Sequence, residues 1–228
     1  MTISGWLLSV VKHMNSSGVF FNSFADRFDG FYDGKRSRFT KWADRRFRSD
    51  VFIRFAMAFE FLGDLEGKRV LDIGCGSGPY LAEALRRGAF QVTGIDPAPR
   101  MLRLAMQRVQ QLGASERASF LQGHFPDLSP VGQFDFAIVM GVTDYLTDAP
   151  SFLRGLQSIV TQRAVVSFPS IHWFRTPFRK VRYRMRRCPV YFYEASKIEM
   201  PLQNAGIKNY RIIKIPGAGM DYFVGLSV

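Results

Sequence analysis

The run Val70-Leu-Asp-Ile-Gly-Cys-Gly-Ser-Gly78 constrains this chain more than any other stretch. A short apolar segment of strand character delivers Asp72, and Gly74, Gly76 and Gly78 then turn the chain into a helical pattern that starts at Pro79. Glycine lacks a Cβ, so it takes dihedrals closed to other residues and lets a ligand approach the backbone. A strand, a glycine turn and a helix N-terminus in succession form a nucleotide-binding corner. Read as a dinucleotide fingerprint the run fails at its last position. There Gly or Ala is needed for close helix–strand packing, and Pro79 stands instead.

The remaining chain reads as strands alternating with helices. Strands are expected at Val70–Ile73, Gln91–Ile95 (ending at Asp96), Ala118–Gln122, Phe134–Met140 and Ala164–Phe168. Helices are expected at Pro79–Arg87, Arg100–Leu112, Ala149–Val160 and Glu194–Ala205, the last closed by Gly206. Phe134–Met140 is nearly all apolar, as a strand buried on both faces of a parallel sheet must be. Ile207–Ile215 and Asp221–Val228 read as a closing hairpin around a Pro-Gly-Ala-Gly turn. The order implies an α/β, Rossmann-like doubly wound sheet.

Ahead of it, residues 1–62 form an N-terminal helical cap and 63–228 the nucleotide-binding domain. Ile3, Trp6, Leu7, Val10, Val11 and Met14 make one apolar stripe, a helix that packs on protein in preference to a membrane surface because its polar face carries little positive charge. The following segment is rich in Phe, Arg and Asp, with one long helix from about Arg38 to Phe61. Its aromatics read as core anchors.

The 228 residues carry a formal net charge of +12, which suits an anionic partner: nucleic acid, a membrane surface, or an acidic substrate. Cys75 and Cys188 offer no disulfide framework, and the expected setting is a reducing cytoplasm. His13, His124 and His172 are scattered, so no metal site is expected. No apolar run is long enough to span a bilayer, and the N-terminus reads poorly as a signal peptide.

Three stretches together resemble the class I S-adenosylmethionine-dependent methyltransferases: Val70–Gly78, Val92-Thr-Gly-Ile-Asp-Pro-Ala98, and Phe134-Asp-Phe-Ala-Ile-Val-Met140. The similarity runs from about residue 65 to the C-terminus. It implies a seven-stranded sheet whose last strand is antiparallel, with S-adenosylmethionine as cofactor and S-adenosylhomocysteine as product. It also implies site roles. Asp72 lies near the methionyl ammonium, and Gly74, Cys75, Gly76 and Gly78 let the cofactor approach the backbone. Asp96 accepts the ribose hydroxyls, with helix capping as its plainer role. Pro97, Ala98 and Met101 line the adenine slot, and Gly123, His124, Phe125, Met140 and Gly141 complete the cofactor site. Many relatives carry an acid where this chain has His124.

The acceptor side is less marked. Asp144 and Tyr145, after the fourth strand, are candidates to position or deprotonate an acceptor, as is His172. Residues 169–193 form a basic lid in which Trp173, Tyr191 and Tyr193 close the substrate pocket, and Tyr32 reaches over the cofactor's amino-acid end. The layout is distantly similar to magnesium-protoporphyrin and ubiquinone-pathway O-methyltransferases. That implies methyl transfer to a small-molecule or lipid-like acceptor, at oxygen, with an anionic acceptor, peripheral membrane contact and a homodimer all open. The alternatives are an RNA methyltransferase using the basic lid, which lacks the Asn/Asp-Pro-Pro-Tyr motif of many amino-methylating enzymes, and a non-catalytic binding module.

Overall fold

The computed structural model describes residues 49–128, 132–143, 146–170, 195–215 and 221–228. The chain divides into two compact units, one running to Glu60 and the other built from Phe61–Ile215 with Met220–Val228. Helix α1, Ser49–Leu62, carries Phe55, Met57, Ala58 and Phe59 almost wholly buried, and the rings of Phe55 and Phe59 pack 4.9 Å apart. The expected start of this helix near Arg38, the stripe from Ile3 to Met14 and Tyr32 lie outside the described residues, as does most of the 169–193 lid.

The second unit is a single seven-stranded sheet of order β3-β2-β1-β4-β5-β7-β6. Its strands are β1 Arg69–Ile73, β2 Gln91–Asp96, β3 Ala118–Gln122, β4 Phe134–Val139, β5 Val160–Phe168, β6 Tyr210–Lys214 and β7 Tyr222–Ser227. β7 runs antiparallel to both β5 and β6, and the other pairings are parallel. The strand order reverses between β1 and β4, which places a crevice at the carboxyl ends of the central strands, where open α/β sheets bind ligands.

Helices α2 (Pro79–Arg86), α3 (Pro99–Gln110), α4 (Ala149–Ile159) and α5 (Ala195–Asn204) connect the strands. α2, α3 and α4 each begin with proline in the first turn, where its missing N–H is no loss. α4 has a side-chain cap, the Asp148 carboxylate accepting the Ser151 N–H at 2.9 Å. A ring pair, Phe125 edge-on to Phe152 at 5.2 Å, ties the loop after β3 to α4. Around it lies a cluster that includes Leu71, Val139, Phe168, Ile198 and Val224.

Among the described residues the expected strands and helices occur, with ends that shift by a few residues, as at Tyr210–Lys214 within the strand expected at Ile207–Ile215, and most at β5. β5 begins at Val160, not Ala164. The ladder slips there: Phe134 faces Val160 but Phe136 faces Arg163, so β5 holds one more residue than β4 across that step. Such a bulge breaks the apolar run by which a strand is recognised. Arg163 instead donates from Nη1 to the carbonyls of Phe61 (3.0 Å) and Leu62 (3.2 Å), closing the end of α1.

Candidate functional site

The site grows from the carboxyl ends of β1 and β2. Gly74 and Cys75 donate their N–H groups to the Ile95 carbonyl, at 2.7 and 3.1 Å, so the glycine turn folds across the neighbouring strand. The turn needs left-handed backbone at Gly74 (φ 72°), Gly76 (52°) and Gly78 (75°). The three glycines differ in surroundings. A Cβ at Gly74 would strike Val142 in the loop after β4, and one at Gly78 would lie 2.9 Å from the Ala105 Cβ of α3. Gly76 faces open space. Gly78 therefore serves helix packing, whereas a side chain at Gly76 would meet no neighbouring atom.

Cys75 points inward. It is 3% exposed, its Sγ sits where a side chain at Gly94 would be, and burial pushes its thiol far up from the ordinary range. Arg108 of α3 reaches under the turn, its Nε donating to the Ser77 carbonyl at 3.0 Å.

Asp96 is 9% exposed and holds the turn from the other side. Its Oδ2 accepts the Gly76 N–H at 2.9 Å and its Oδ1 the Ala98 N–H at 2.8 Å. Asp72 is more deeply buried, and its Oδ2 has no hydrogen-bond partner. Burial first, then the charge of Asp96, holds its carboxyl well above the usual range.

A cavity of about 390 Å³ opens between these groups and the loops after β3 and β4. Of the predicted cofactor residues, Gly74, Asp96, Pro97, Gly123, His124, Phe125 and Gly141 line it. Asp72, Cys75, Gly76, Gly78, Ala98, Met101 and Met140 do not form its wall; several stand behind it as the turn and its supports. Asp144, Tyr145, His172, Trp173, Tyr191 and Tyr193 lie outside the described residues.

Other contributors went unread in the sequence. Ile73, Ile95, Val142 and Leu146 give the cavity an apolar wall. Ser167 of β5 accepts the Gly141 N–H on its Oγ at 2.8 Å, and its carbonyl accepts the Thr143 hydroxyl at 2.6 Å, fixing the loop after β4. Only Gly94 left a sequence signal, a glycine inside an apolar strand. Among the described residues no cluster of three or more His, Cys, Asp or Glu is placed to hold a metal, and no helix is long and apolar enough to cross a membrane.

A doubly wound sheet with β7 antiparallel, an acid-led glycine turn after β1 and a second acid closing β2 make up the architecture of the class I S-adenosylmethionine-dependent methyltransferase fold. Residues 70–163 of the chain match the family of the methyltransferase domain. Over 124 residues it is 34% identical to a tRNA U34 carboxymethyltransferase of Idiomarina loihiensis, covering 54% of this chain and 38% of that one. Over 122 residues it is 33% identical to a ubiquinone biosynthesis O-methyltransferase of Azorhizobium caulinodans, covering 53% and 47%. The match thus spans half or less of the length of these curated relatives. In three dimensions the chain is similar to the magnesium protoporphyrin IX methyltransferase of Synechocystis PCC 6803 crystallised with S-adenosylhomocysteine. The TM-score is 0.67 and the identity 22%, over 96% of this chain and 97% of that one.

Proposed function

We propose that the protein transfers a methyl group from S-adenosylmethionine to a small-molecule or lipid-like acceptor, at oxygen. The observation that carries the reading is the buried carboxylate of Asp96 in the wall of a 390 Å³ cavity beside a glycine turn. The residues fit the cofactor. Asp96 spends one lone pair of each oxygen on Gly76 and Ala98, leaving one on each for a diol such as the ribose hydroxyls. The partnerless Oδ2 of Asp72 suits a nearby ammonium, and the apolar side of the cavity suits a purine and excludes water.

Bound S-adenosylmethionine would supply an electrophilic methyl on sulfonium. The chain's own task is then alignment: Asp96 and the turn fix the nucleoside, while the Ser167 clamp sets the loop after β4. Asp144, Tyr145 and His172 are the proposed groups for taking the acceptor's proton, and Tyr32, Trp173, Tyr191 and Tyr193 for enclosing it. The similarity to ubiquinone and magnesium-protoporphyrin methyltransferases supports an oxygen acceptor of small-molecule type. A cytoplasmic setting belongs to the same reading.

Titration calorimetry with S-adenosylmethionine and S-adenosylhomocysteine, followed by methyl-transfer assays on phenolic and carboxylic acceptors, tests it. Binding without transfer to any acceptor leaves a binding module; no binding sinks the reading. The net charge of +12 and the tRNA-modifying relative support a second reading, an RNA substrate. It requires RNA affinity that falls steeply with salt, and a flat response eliminates it.

A further inference from the structure

The glycine turn after β1 cannot fix its own shape. Three of the five residues from Gly74 to Gly78 are glycines, which have the widest backbone freedom of any residue and no side chain to pack. Its geometry is therefore set by groups that reach it from other elements. The Ile95 carbonyl holds the N–H groups of Gly74 and Cys75, and Asp96 holds that of Gly76. The remaining anchors come from α3. Ala105 closes against Gly78, and three residues on, Arg108 donates from Nε to the Ser77 carbonyl at 3.0 Å.

This last bond has a specific effect. A peptide unit is planar, so its C=O and N–H turn together. In the unit joining Ser77 to Gly78, Arg108 holds the C=O and the Cys75 carbonyl holds the N–H, at 2.9 Å. Both ends of one plane are anchored, directly after Gly76. Arg108 is itself 7% exposed, so the bond is shielded from competing water. α3 also starts from this corner, because Asp96 accepts the Ala98 N–H as well as that of Gly76. Turn and helix thus close a ring of contacts in which Asp96 is one link and Arg108 another.

We infer that Arg108 is a positioning residue for the cofactor: through the Ser77 carbonyl, its Nε–H donor, and not its charge, holds the turn in the shape that binds. The inference rests on the S-adenosylmethionine reading of the cavity. Arg108 is not among the residues that line the cavity, so it acts at one remove, by preorganising backbone that the ligand meets.

The test follows from which atom donates. Counting along the side chain, glutamine places its amide nitrogen where arginine has Nε, whereas lysine and methionine place a carbon there. Full-chain variants are compared by calorimetry with S-adenosylhomocysteine, below the melting transition of each, and by thermal unfolding. Arg108→Lys and Arg108→Met are expected to weaken binding about three- to tenfold, and Arg108→Gln to stay within about twofold of wild type. Arg117→Met is the control for stability alone. Arg117 likewise holds a backbone carbonyl, that of Leu85 at 3.0 Å, but at the opposite end of α2, and its loss should lower Tm and leave affinity unchanged. Wild-type affinity in Arg108→Lys and Arg108→Met overturns the inference and leaves the cofactor reading standing. A loss in Arg108→Gln as large as in Arg108→Met also overturns it, since the donor is then not what matters. An equal loss in Arg117→Met does so too, because affinity then only follows stability. If neither Arg108→Lys nor Arg108→Met folds, Arg108 is a folding residue and the inference falls. A wild-type protein that does not bind S-adenosylhomocysteine overturns the cofactor reading and the inference together.

Discussion

Gly94 lies in mid-strand, yet it decides whether the glycine turn can close. A methyl group placed there by Gly94→Ala would sit 2.8 Å from the Cys75 Sγ and 2.8 Å from the Leu81 Cδ1. Ordinary carbon contacts are at about 3.5–4.0 Å, so each overlap is about 1 Å. Neither neighbour can yield cheaply. Leu81 is fully buried, and Cys75 is 3% exposed with its N–H tied to the Ile95 carbonyl. Overpacking of this kind costs about 1–3 kcal/mol. The loss of unfolded-state freedom on replacing glycine returns about 0.4–1 kcal/mol, and Gly94 is not among the positive-φ glycines, so no backbone strain is added. The net cost is about 1–2 kcal/mol, or a Tm lower by about 2–8 °C for a chain of this size. Thermal unfolding followed by circular dichroism measures it. Cys75→Ala in the same chain removes one of the two overlaps and should restore part of the loss. A Gly94→Ala protein as stable as wild type would refute the account of how Cys75 is seated. Cofactor affinity should fall too, because relief of the clash moves the turn that carries Gly76.

The other predictions concern the carboxylates and the loop clamp. Asp96→Ala removes charge-assisted bonds and should weaken S-adenosylhomocysteine by about 2–3 kcal/mol, roughly 30- to 150-fold by calorimetry; unchanged affinity rules out its ribose role. Asp72→Asn should stabilise the ligand-free protein at neutral pH. Its carboxyl is raised in the folded state, so its contribution is fully present at acid pH and is lost as pH rises above the ordinary carboxylate range. The gain in Tm should therefore shrink toward about pH 4, and a gain that grows in acid contradicts it. Asp148 is the opposite case. Its hydrogen bonds to Ser151 hold its carboxyl below the usual range, so Asp148→Ala should lower Tm at neutral pH, with the difference fading as pH falls through that depressed value and cofactor affinity untouched. Ser167→Ala frees the Gly141 N–H and should lower kcat for methyl transfer more than it alters cofactor affinity, which parallel steady-state and calorimetric measurements separate.

What the sequence made legible is what depends on backbone chemistry. Left-handed φ at Gly74, Gly76 and Gly78 can be expected because a tight turn after a strand demands it, and the acid at the end of β2 because Pro97 fixes where the strand stops. Strand type followed from runs of burial, and it failed at Val160–Arg163, where a bulge replaces a run by a slip. Contacts between residues far apart in the chain left no local trace. Arg108 under Ser77 spans 31 positions and Ser167 against Gly141 spans 26, and both look in sequence like an ordinary helix charge and an ordinary strand serine. The division among the glycines was equally hidden, since only the packed chain tells Gly78 against Ala105 from Gly76 facing open space.

The two acids also explain why folding and binding are hard to separate in this corner. Asp96 is at once the acceptor that orders Gly76 and Ala98 and the group proposed to hold the ribose, so Asp96→Ala loosens the turn as well as removing a ligand contact. Asp72 does the reverse: its Oδ2 has no hydrogen-bond partner, and burial makes its charged form a cost, which the ammonium of the proposed cofactor would offset. A corner meant only to be stable would put an apolar residue at position 72, beside Leu71 and Ile73, which are already fully or nearly fully buried. A residue that raises the energy of the empty state and lowers that of the loaded one contributes differential binding, and its effect on affinity should exceed its effect on the stability of the loaded protein. On the proposed cofactor reading, that asymmetry, with Asp96 costly to lose in either state and Asp72 costly to keep in one of them, is what separates a binding corner from a structural turn.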